Sequence, residues 1–145
     1  TLKVMAYEHK GYAAIMDCPK AYRRSNFELL DPEVRKDLFN PDRPIYTKTR
    51  DDMPTRYGIQ ADVSNSLIAE GCVIEGTVKN SVLFRGVKVE KGAVVENSIL
   101  MQGVTVAEDA RIDNVVSDKN ATVSAGMVVK GTDNKAFFVE KNQTL

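Results

Sequence analysis

The stretch that decides the fold is residues 65–116, NSLIAEGCVIEGTVKNSVLFRGVKVEKGAVVENSILMQGVTVAEDARIDNVV. Its opening Asn-Ser-Leu-Ile returns in related form three times, with spacings of 15, 17 and 17 residues. Six residues after each of these asparagines stands a glycine or an asparagine, and nine residues after it stands a branched apolar residue. A fixed repeat of this kind predicts stacked copies of one structural unit. The three columns are Asn65, Asn80, Asn97 and Asn114; Gly71, Gly86, Gly103 and Asn120; and Ile74, Val89, Val106 and Val123.

A finer hexapeptide rhythm runs through the same stretch and beyond it. Reading from Leu83, branched or apolar residues recur in steps of six, six and five, with Ser117 as the one polar member. This rhythm predicts three short strands per coil, in which the first residue of each hexapeptide points inward and a smaller residue four places later shares the interior. We expect the inward residues to be Leu83, Val89, Val95, Leu100, Val106, Ile112, Ser117, Val123 and Val129, with Val87, Ala93, Ile99, Val104, Ala110, Val116, Ala121 and Met127 beside them.

The repeat predicts a mainly β protein, specifically a left-handed parallel β-helix of three to four coils over residues 61–131. Hexapeptide repeats belong to the left-handed kind, which is an exception to the usual right-handed crossover. The aligned asparagines predict a ladder of side-chain amides along one edge of the stack. A β-sandwich also has short strands at regular intervals, but matching Asn, Gly and Val columns over four coils favour the β-helix.

The composition changes near residue 60 and divides the chain into segments. All five prolines and all five tyrosines precede Gly58, whereas 15 of the 18 valines lie in residues 61–131. Proline cannot donate to a strand ladder, and valine suits a buried pleated surface. We therefore expect a helical segment over residues 1–39, a linker over residues 40–60, the β-helix over residues 61–131, and a tail over residues 132–145 in which residues 136–139 form a strand that caps the open end of the stack.

Two helices are expected before the linker. Pro19 suits the first turn of a helix over residues 20–30. Asp31 before Pro32 is a cap-and-start signature for a second, shorter helix. About forty residues with this content cannot bury a core of their own, so they must pack against another part through the apolar face of the first helix. That face carries Tyr22, Ser25, Leu29 and Leu30.

Composition excludes several classes of protein. The chain has 20 Lys and Arg against 20 Asp and Glu, so no net charge draws it to nucleic acid or to an acidic membrane. No apolar run approaches the roughly 18 residues that cross a bilayer, and no secretory signal opens the chain. We therefore expect a cytoplasmic protein with free thiols at Cys18 and Cys72. Residues 2–7 form an apolar, strand-like run from the outset, as expected of a chain cut from a longer one.

Catalytic and metal-binding groups are scarce in the sequence. The only histidine, His9, lies beside Glu8 and Lys10 and is expected to be exposed and solvated. Two distant cysteines and one histidine do not have the spacing of a structural zinc site. Neither a glycine-rich phosphate loop nor a nucleophile elbow occurs. The residues therefore predict neither a catalytic group nor a metal ligand in this chain.

Three stretches together resemble the C-terminal third of ADP-glucose pyrophosphorylase, also called glucose-1-phosphate adenylyltransferase. They are GYAAIMDCPKAYRRSNFELL from residue 11, IYTKTRDDMPTRYG from residue 45, and the repeat from VSNSLIAEGC at residue 63. The resemblance implies a preceding nucleotidyltransferase domain, whose end would be residues 1–39, and synthesis of ADP-glucose from ATP and glucose 1-phosphate for glycogen or starch. It also implies Mg²⁺ as the cofactor of the full catalytic enzyme and assembly into tetramers partly through the β-helices.

One departure from the family pattern indicates which kind of subunit the chain resembles. Catalytic members carry Gly-Tyr-Trp-x-Asp-Val-Gly-Thr, in which the Asp helps to hold Mg²⁺. Here Gly11 and Tyr12 match, but Ile15 occupies the Asp position, and isoleucine cannot ligate a hard cation. The resemblance therefore implies the non-catalytic regulatory subunit that accompanies a catalytic subunit in Gram-positive bacteria, in a hetero- or homo-oligomer. Two alternatives stay open: residual adenylyltransferase activity with Asp17 as a substitute ligand, and a nucleotidyltransferase that acts on another hexose phosphate.

The resemblance also implies an effector pocket near the linker. Lys48, Arg50 and Arg56 lie in the linker, and Arg85 and Lys88 lie on an early coil on the side where the pocket is expected. Cations converging on one cleft would bind phosphate or a sugar phosphate by charge-assisted hydrogen bonds. The alternative is an ordinary solvated set of charges. The expected apolar residues of subunit interfaces, on the outward side of their strands, are Val94, Val115 and Val128.

Overall fold

Residues 2–48 and 50–145, which the computed structural model describes, form two short helices and fifteen short strands. The helices are α1, Pro19–Glu28, and α2, Pro32–Leu38. The strands are β1 Arg56–Tyr57, β2 Asp62–Ser64, β3 Leu67–Ile68, β4 Val73–Ile74, β5 Thr77–Lys79, β6 Val82–Leu83, β7 Lys88–Val89, β8 Val94–Glu96, β9 Ile99–Leu100, β10 Thr105–Val106, β11 Arg111–Asp113, β12 Val115–Ser117, β13 Thr122–Val123, β14 Val128–Lys130 and β15 Phe137–Val139.

The strands wind round the three sides of a parallel β-solenoid of about four turns. Each strand pairs in parallel with the strand three places later in the chain, so each side is a five-stranded sheet. Sheet A is β1-β4-β7-β10-β13, sheet B is β2-β5-β8-β11-β14, and sheet C is β3-β6-β9-β12-β15. The predicted mainly β, three-sided parallel architecture is confirmed. The β-sandwich alternative is wrong, because every coil contributes one strand to each of the three sheets.

The first column of the hexapeptide rhythm lines the interior of the solenoid, as predicted. All nine of its members, from Leu83 to Val129, are at most 7% exposed, and the one polar member, Ser117, is fully buried. Successive side chains of a strand point to opposite faces, so the neighbours of these residues turn outward. Fully burying one Val, Leu or Ile contributes about 1.5–3 kcal/mol, and each coil buries several of them. The stack therefore supports itself where a single coil would not.

The second predicted column is wrong on one of the three sides. Each side has two inward residues that lie two places apart, because side chains alternate along a strand. Before sheet C the corner is one residue shorter, so the inward residue is Ser98, three places after Val95 rather than four. Ile99 therefore lies outside the main core, in a separate apolar cluster.

The same shift recurs in the next coil. Val115 is 0% exposed and belongs to the main core, so its predicted place on an outer interface surface is wrong. Val116, expected inside, instead belongs to the outer cluster. Met127, also expected inside, is 40% exposed in the last coil.

Residues with positive φ make the corners. The four asparagines of the repeat have φ between 42° and 56°, a conformation that asparagine adopts more readily than most residues with a side chain. They form the short corner before sheet C. The predicted tight corners at Gly71, Gly86, Gly103 and Asn120 are confirmed, with φ between 57° and 74°.

Serine hydroxyl groups complete the backbone hydrogen bonding at the short corner. The N–H of Ser98 donates to Ser81 Oγ at 3.1 Å, and the N–H of Val115 donates to Ser98 Oγ at 3.1 Å. Each hydroxyl in turn donates to a carbonyl oxygen of its own coil, that of Lys79 or Glu96. The buried serines therefore link one coil to the next where regular pairing is interrupted.

The predicted asparagine ladder is confirmed for its first three members and changes at the fourth. Asn65 Nδ2 donates to Asn80 Oδ1 at 3.0 Å, and Asn80 Nδ2 donates to Asn97 Oδ1 at 2.7 Å. Asn97 Nδ2 then donates to Asp113 Oδ1 at 2.9 Å, and Asn114 Nδ2 donates to the same oxygen at 3.0 Å. The ladder therefore ends on a carboxylate.

The strands extend beyond the predicted limits of the solenoid at both ends. β1 lies inside the predicted linker and pairs with β4. The predicted strand at residues 136–139 is confirmed, since β15 adds to sheet C beside β12, and Thr144 then bridges Thr122 of sheet A. The strand-like run at residues 2–7 forms no strand and is exposed. An apolar run becomes a stable strand only where neighbouring strands pair with it.

Both predicted helices are present. Pro19 begins α1, as expected, and the cap is Cys18, whose Sγ accepts from the N–H of Ala21 at 3.4 Å. The helix ends at Glu28, two residues before the predicted end. Asp31 caps α2, as predicted. Within the described ranges, neither helix has the length and apolar character needed to span a bilayer.

Candidate functional site

α1 packs on the outer face of sheet C. The outward residues of sheet C are apolar in consecutive coils. They form an apolar strip on the outside of the solenoid, and side chains of the helical segment cover this strip. The prediction that the helical segment packs against another part is confirmed. Phe27, rather than Leu29, makes the contact. The outer cluster consists of Val82, Ile99 and Val116 with Tyr22, Phe27, Leu30, Leu67, Phe84 and Ala136.

Arg23 fixes the position of α1 over this face. Its Nη2 donates to Asn114 Oδ1, and its Nη1 donates to the carbonyl oxygen of Asp133 at 3.2 Å. The guanidinium also lies over the ring of Phe27, 4.8 Å from the centroid. One helical side chain thus joins the end of the asparagine ladder to the tail. The sequence gives no local signal for this role, because both partners lie about a hundred residues away.

Asp113 is the acceptor at the end of the ladder. Besides two asparagine amides, its carboxylate contacts Lys130 Nζ at 3.2 Å. The hydrogen bond from Asn97, followed by the interactions with Lys130, holds the pKa of Asp113 below its usual range despite the opposing effect of burial. The carboxylate is therefore ionised at neutral pH.

The stretch that resembles the family's metal-binding motif is held to the helices at Tyr12. The Tyr12 hydroxyl donates to Glu28 Oε2 at 2.7 Å, and its backbone N–H donates to Asp37. The Glu28 carboxylate raises the pKa of Tyr12. Ile15 is 76% exposed and Asp17 is also exposed. Among the residues that the structure describes, no group of three or more His, Cys, Asp and Glu side chains forms a metal-binding cluster around either of them.

The remaining sequence predictions for single residues concern exposure. His9 is exposed, as expected, with Nε2 3.4 Å from the carbonyl oxygen of Tyr12. Both cysteines are free, as expected. Cys18 is exposed, whereas Cys72 is buried and its Sγ donates to the carbonyl oxygen of Phe84 at 3.2 Å. Burial raises the pKa of the Cys72 thiol.

Two of the predicted effector cations share one column of the solenoid. Arg56 in β1 and Lys88 in β7 are exposed on sheet A, with Val73 of β4 between them in register. Two strand spacings, roughly 9.6 Å, separate their backbones. Arg56 Nη2 lies 3.8 Å from Glu75 Oε1, and the Arg56 side chain is 71% exposed. It is therefore only weakly paired.

The other predicted effector residues are Arg85, Lys48 and Arg50. Arg85 is half-buried at the corner that precedes β7, and Lys48 and Arg50 are exposed in the linker. A cleft of about 550 Å³ opens beside the Arg56–Glu75 ion pair, but its lining does not include any of the five predicted cations. The residues that line it are Gly58, Ile59, Gln60, Glu75 and Lys91.

The three predicted interface residues differ in burial. Val94 and Val128 lie in one outward column of sheet B, where Arg111 separates them in register. Val94 is half-buried and Val128 is 67% exposed. Val115 is inside the core, as described above. Two of the three therefore remain on the outer surface.

Comparison with known proteins gives consistent relatives. Residues 50–143 match the family model described as GlmU-like, C-terminal hexapeptide. The chain is 46% identical to the glycogen biosynthesis protein GlgD of Bacillus subtilis (strain 168), over 97% of this chain and 41% of that protein. It is 52% identical to GlgD of Geobacillus stearothermophilus, over 61% of this chain and 33% of that protein. It is 43% identical to the glucose-1-phosphate adenylyltransferase of Geobacillus stearothermophilus, over 62% of this chain and 23% of that protein.

These relatives confirm the resemblance found in the sequence. The chain spans about two-fifths of the length of the first of these relatives.

Proposed function

Because this chain belongs to the family of GlmU-like C-terminal hexapeptide domains, we propose that it is the solenoid part of a regulatory subunit of glucose-1-phosphate adenylyltransferase. That enzyme makes ADP-glucose from ATP and glucose 1-phosphate for glycogen synthesis. The observation that carries the proposal is the 46% identity, over 97% of the chain, to a protein named for glycogen biosynthesis. Ile15, in place of the metal-binding carboxylate, supports the regulatory rather than the catalytic role.

In this proposal the chain takes no part in the chemistry itself. Mg²⁺ needs oxygen ligands in near-octahedral geometry, and Ile15 offers none. Over residues 2–48 and 50–145, no group of three or more His, Cys, Asp and Glu side chains is placed to hold a metal ion. The residues present do not fit a magnesium site. In the proposal Mg²⁺ is the cofactor of the full catalytic enzyme.

The effector surface is proposed at Lys48, Arg50, Arg56 and Arg85. Arg56 shares its exposed column with Lys88, and its ion pair with Glu75 is long, which leaves the guanidinium able to reorient toward an anion. Phosphate and sugar phosphates are the ligands that such cations bind by charge-assisted hydrogen bonds. Binding at this surface would bias the contact between this subunit and its catalytic partner.

Assembly through the solenoid is the second half of the proposal. Val94 and Val128 form the apolar part of the outer face of sheet B and support a subunit contact there. The winding is left-handed, as in hexapeptide repeats, and residues 1–39 are the end of a nucleotidyltransferase-like domain. The subunit acts in the cytoplasm, where Cys18 and Cys72 stay reduced.

Co-migration tests the proposed partnership. The full-length protein is mixed with the catalytic adenylyltransferase subunit of its own source and passed through a size-exclusion column at micromolar concentration. We expect one shared peak at a mass above that of either protein alone. Two separate peaks over the whole concentration range would contradict the proposal.

An effector titration tests the proposed surface. In the assembled enzyme, Arg50→Glu with Arg56→Glu should shift the activation or inhibition curve for phosphate and sugar phosphates at least tenfold, because two attractive charges become repulsive. The control is Lys36→Glu, an exposed cation on α2 that is not among the proposed effector residues. An unchanged curve in the double variant would remove these residues from the effector surface.

A further inference from the structure

We propose that the groove between α1 and the tail binds a small molecule that combines a flat apolar ring with a phosphate or carboxylate group. This α1–tail groove has a volume of about 1020 Å³ and lies between α1, the outer face of sheet C and residues 133–138. None of the four proposed effector cations lines it. The inference therefore stands whether or not the proposed function holds.

The floor of the groove is apolar and partly aromatic. α1 contributes Tyr22 and Phe27, and sheet C contributes Met101, Val116 and Phe138. Phe138 is in register with Val116, so it continues the outward apolar column of sheet C by one more strand. It is 56% exposed, because α1 covers the earlier coils and leaves this one open. The uncovered floor suits a flat apolar ring.

The edge of the groove carries an excess of positive charge. The whole chain is neutral, with 20 cations and 20 carboxylates, so the excess is local. One of the two lining carboxylates, Glu28, is already engaged by Arg24 at 3.5 Å and by the Tyr12 hydroxyl at 2.7 Å. The charged lining residues are Lys20, Arg23, Arg24 and Lys135 against Glu28 and Asp133.

Some of these cations have unused donors. Arg23 donates from both Nη atoms, but its Nε is buried and has no acceptor among the residues that the structure describes. Buried polar groups in folded proteins are nearly always paired. Lys20 and Lys135 form no salt bridge within the described ranges. A ligand phosphate or carboxylate supplies acceptors for the exposed ammonium groups of Lys20 and Lys135.

The size and composition of the groove fit a single small ligand. Such sites occupy about 300–1,000 Å³ and combine an apolar lining with a few polar groups that orient the ligand. A ring without an anionic group would use only the floor, and a bare anion would use only the edge. A molecule that carries both parts contacts the apolar floor and the charged edge together.

Calorimetry with three probes tests this requirement on the full chain. We expect 1-naphthyl phosphate to bind at least tenfold more tightly than inorganic phosphate and at least tenfold more tightly than 1-naphthol, with an affinity that falls as NaCl rises. If inorganic phosphate binds as tightly, the site is a simple anion site. If 1-naphthol binds as tightly, it is a simple apolar patch. Either result, or no binding, overturns the proposal.

Matched variants locate the binding. Lys20→Glu with Lys135→Glu should weaken 1-naphthyl phosphate at least tenfold, and Phe138→Ala should weaken it severalfold. The controls are Lys141→Glu and Phe137→Ala, which alter the same tail outside the groove lining and should leave affinity unchanged. Circular dichroism checks that each variant is folded. Equal losses in the groove and control variants would place the ligand elsewhere.

Cys18 gives a readout that does not depend on any substitution. It is exposed and lines the groove, whereas Cys72 is buried. Saturating 1-naphthyl phosphate should slow the alkylation of Cys18 by iodoacetamide at least threefold. Mass spectrometry measures the alkylation rate. An unchanged alkylation rate at saturation would show that the ligand binds outside the α1–tail groove.

Discussion

Arg23 connects three parts of the molecule that are distant in sequence. Its partners are the Asn114 side chain, 91 residues away, and the Asp133 carbonyl, 110 residues away, while Phe27 lies beneath the guanidinium. The planar fork of arginine allows the two hydrogen bonds and the ring contact at once. A lysine offers one point charge and cannot make all three.

Arg23→Lys should therefore loosen α1 without unfolding the solenoid. We expect a loss of about 1.5–3 kcal/mol in the docking of the helix, the usual worth of hydrogen bonds to a charged group. Hydrogen–deuterium exchange measures this as faster exchange in α1 with unchanged exchange in the strands.

The matched control for this substitution is the next residue. Arg24 is 66% exposed at the side chain and forms an ion pair with Glu28. Arg24→Lys should change exchange in α1 little, because exposed helix ion pairs contribute about 0.3–0.5 kcal/mol. Equal exchange in the two variants would contradict the role given to Arg23.

The lowered pKa of Asp113 predicts how the free energy of unfolding depends on pH. Its pKa is lowered in the folded state, so its contribution is fully present above the unfolded value of roughly 3.9 and is lost as the pH falls through the lower folded value. Asp113→Asn should therefore be less stable than the parent chain at pH 7. The difference in urea midpoint should be constant down to about pH 5 and shrink below about pH 4.

A surface carboxylate provides the comparison for Asp113. Asp62 forms an exposed ion pair with Lys79 at 3.2 Å, so Asp62→Asn should move the urea midpoint little at pH 7 and at pH 3. A stability difference for Asp113→Asn that is the same at pH 7 and pH 3 would contradict the account.

At the scale of elements, the short corner before sheet C explains both what the sequence predicts and what it misses. The steps of six, six and five identify Val95 and Leu100 as inward, because those positions carry the period itself. An offset of four from Val95 crosses the shortened corner and reaches Ile99 instead of Ser98. A serine at an inward place goes against hydrophobic patterning, and only its hydrogen bonds between coils account for it.

For the helices too, some features can be predicted from the sequence and others cannot. Pro19 and Asp31 are local signals, so the start of each helix can be predicted from neighbouring residues. Where α1 docks depends on Ile99 and Val116, whose outward direction follows from the corner geometry and not from the helix itself. The outward apolar column was the available signal for the docking face.

The corrected register makes a direct prediction for two neighbouring residues. Ile99→Asp should release α1 while the strands stay protected from hydrogen exchange, because Ile99 contacts the helical segment and not the main core. Leu100→Asp should unfold the solenoid, since it buries a charge in the main core. Similar exchange patterns in the two variants would show that the register is wrong.

At the scale of the whole molecule, the tail protects two sheets at one end of the stack. β15 covers the edge of β12, and Thr144 covers that of Thr122 in β13. Unpaired strand edges template pairing with other chains. Deletion of residues 132–145 should therefore cause concentration-dependent association, measured by light scattering, with retained β circular dichroism.

Deletion of residues 2–8 is the control for the tail, because that segment is exposed and forms no strand. It should leave the light scattering unchanged relative to the parent chain. A tail-deleted chain that stays monomeric at 100-fold dilution and at high concentration alike would show that the exposed edges do not drive association.

The functional account depends on a subunit that alters catalysis without performing it. The sequence indicated this through one residue, Ile15, since the absence of an oxygen ligand can be seen without a structure. It gave less about the effector surface, because the relative positions of Arg56 and Lys88 depend on how coils stack.

Pyrophosphate release from ATP and glucose 1-phosphate tests this account most directly. It is measured with Mg²⁺ for the full-length protein alone, for its catalytic partner alone and for their mixture. The account predicts no release above background for the protein alone, and a changed maximal rate or effector response in the mixture. Turnover by the protein alone at a rate comparable to that of the catalytic subunit, with no effect on mixing, would contradict it.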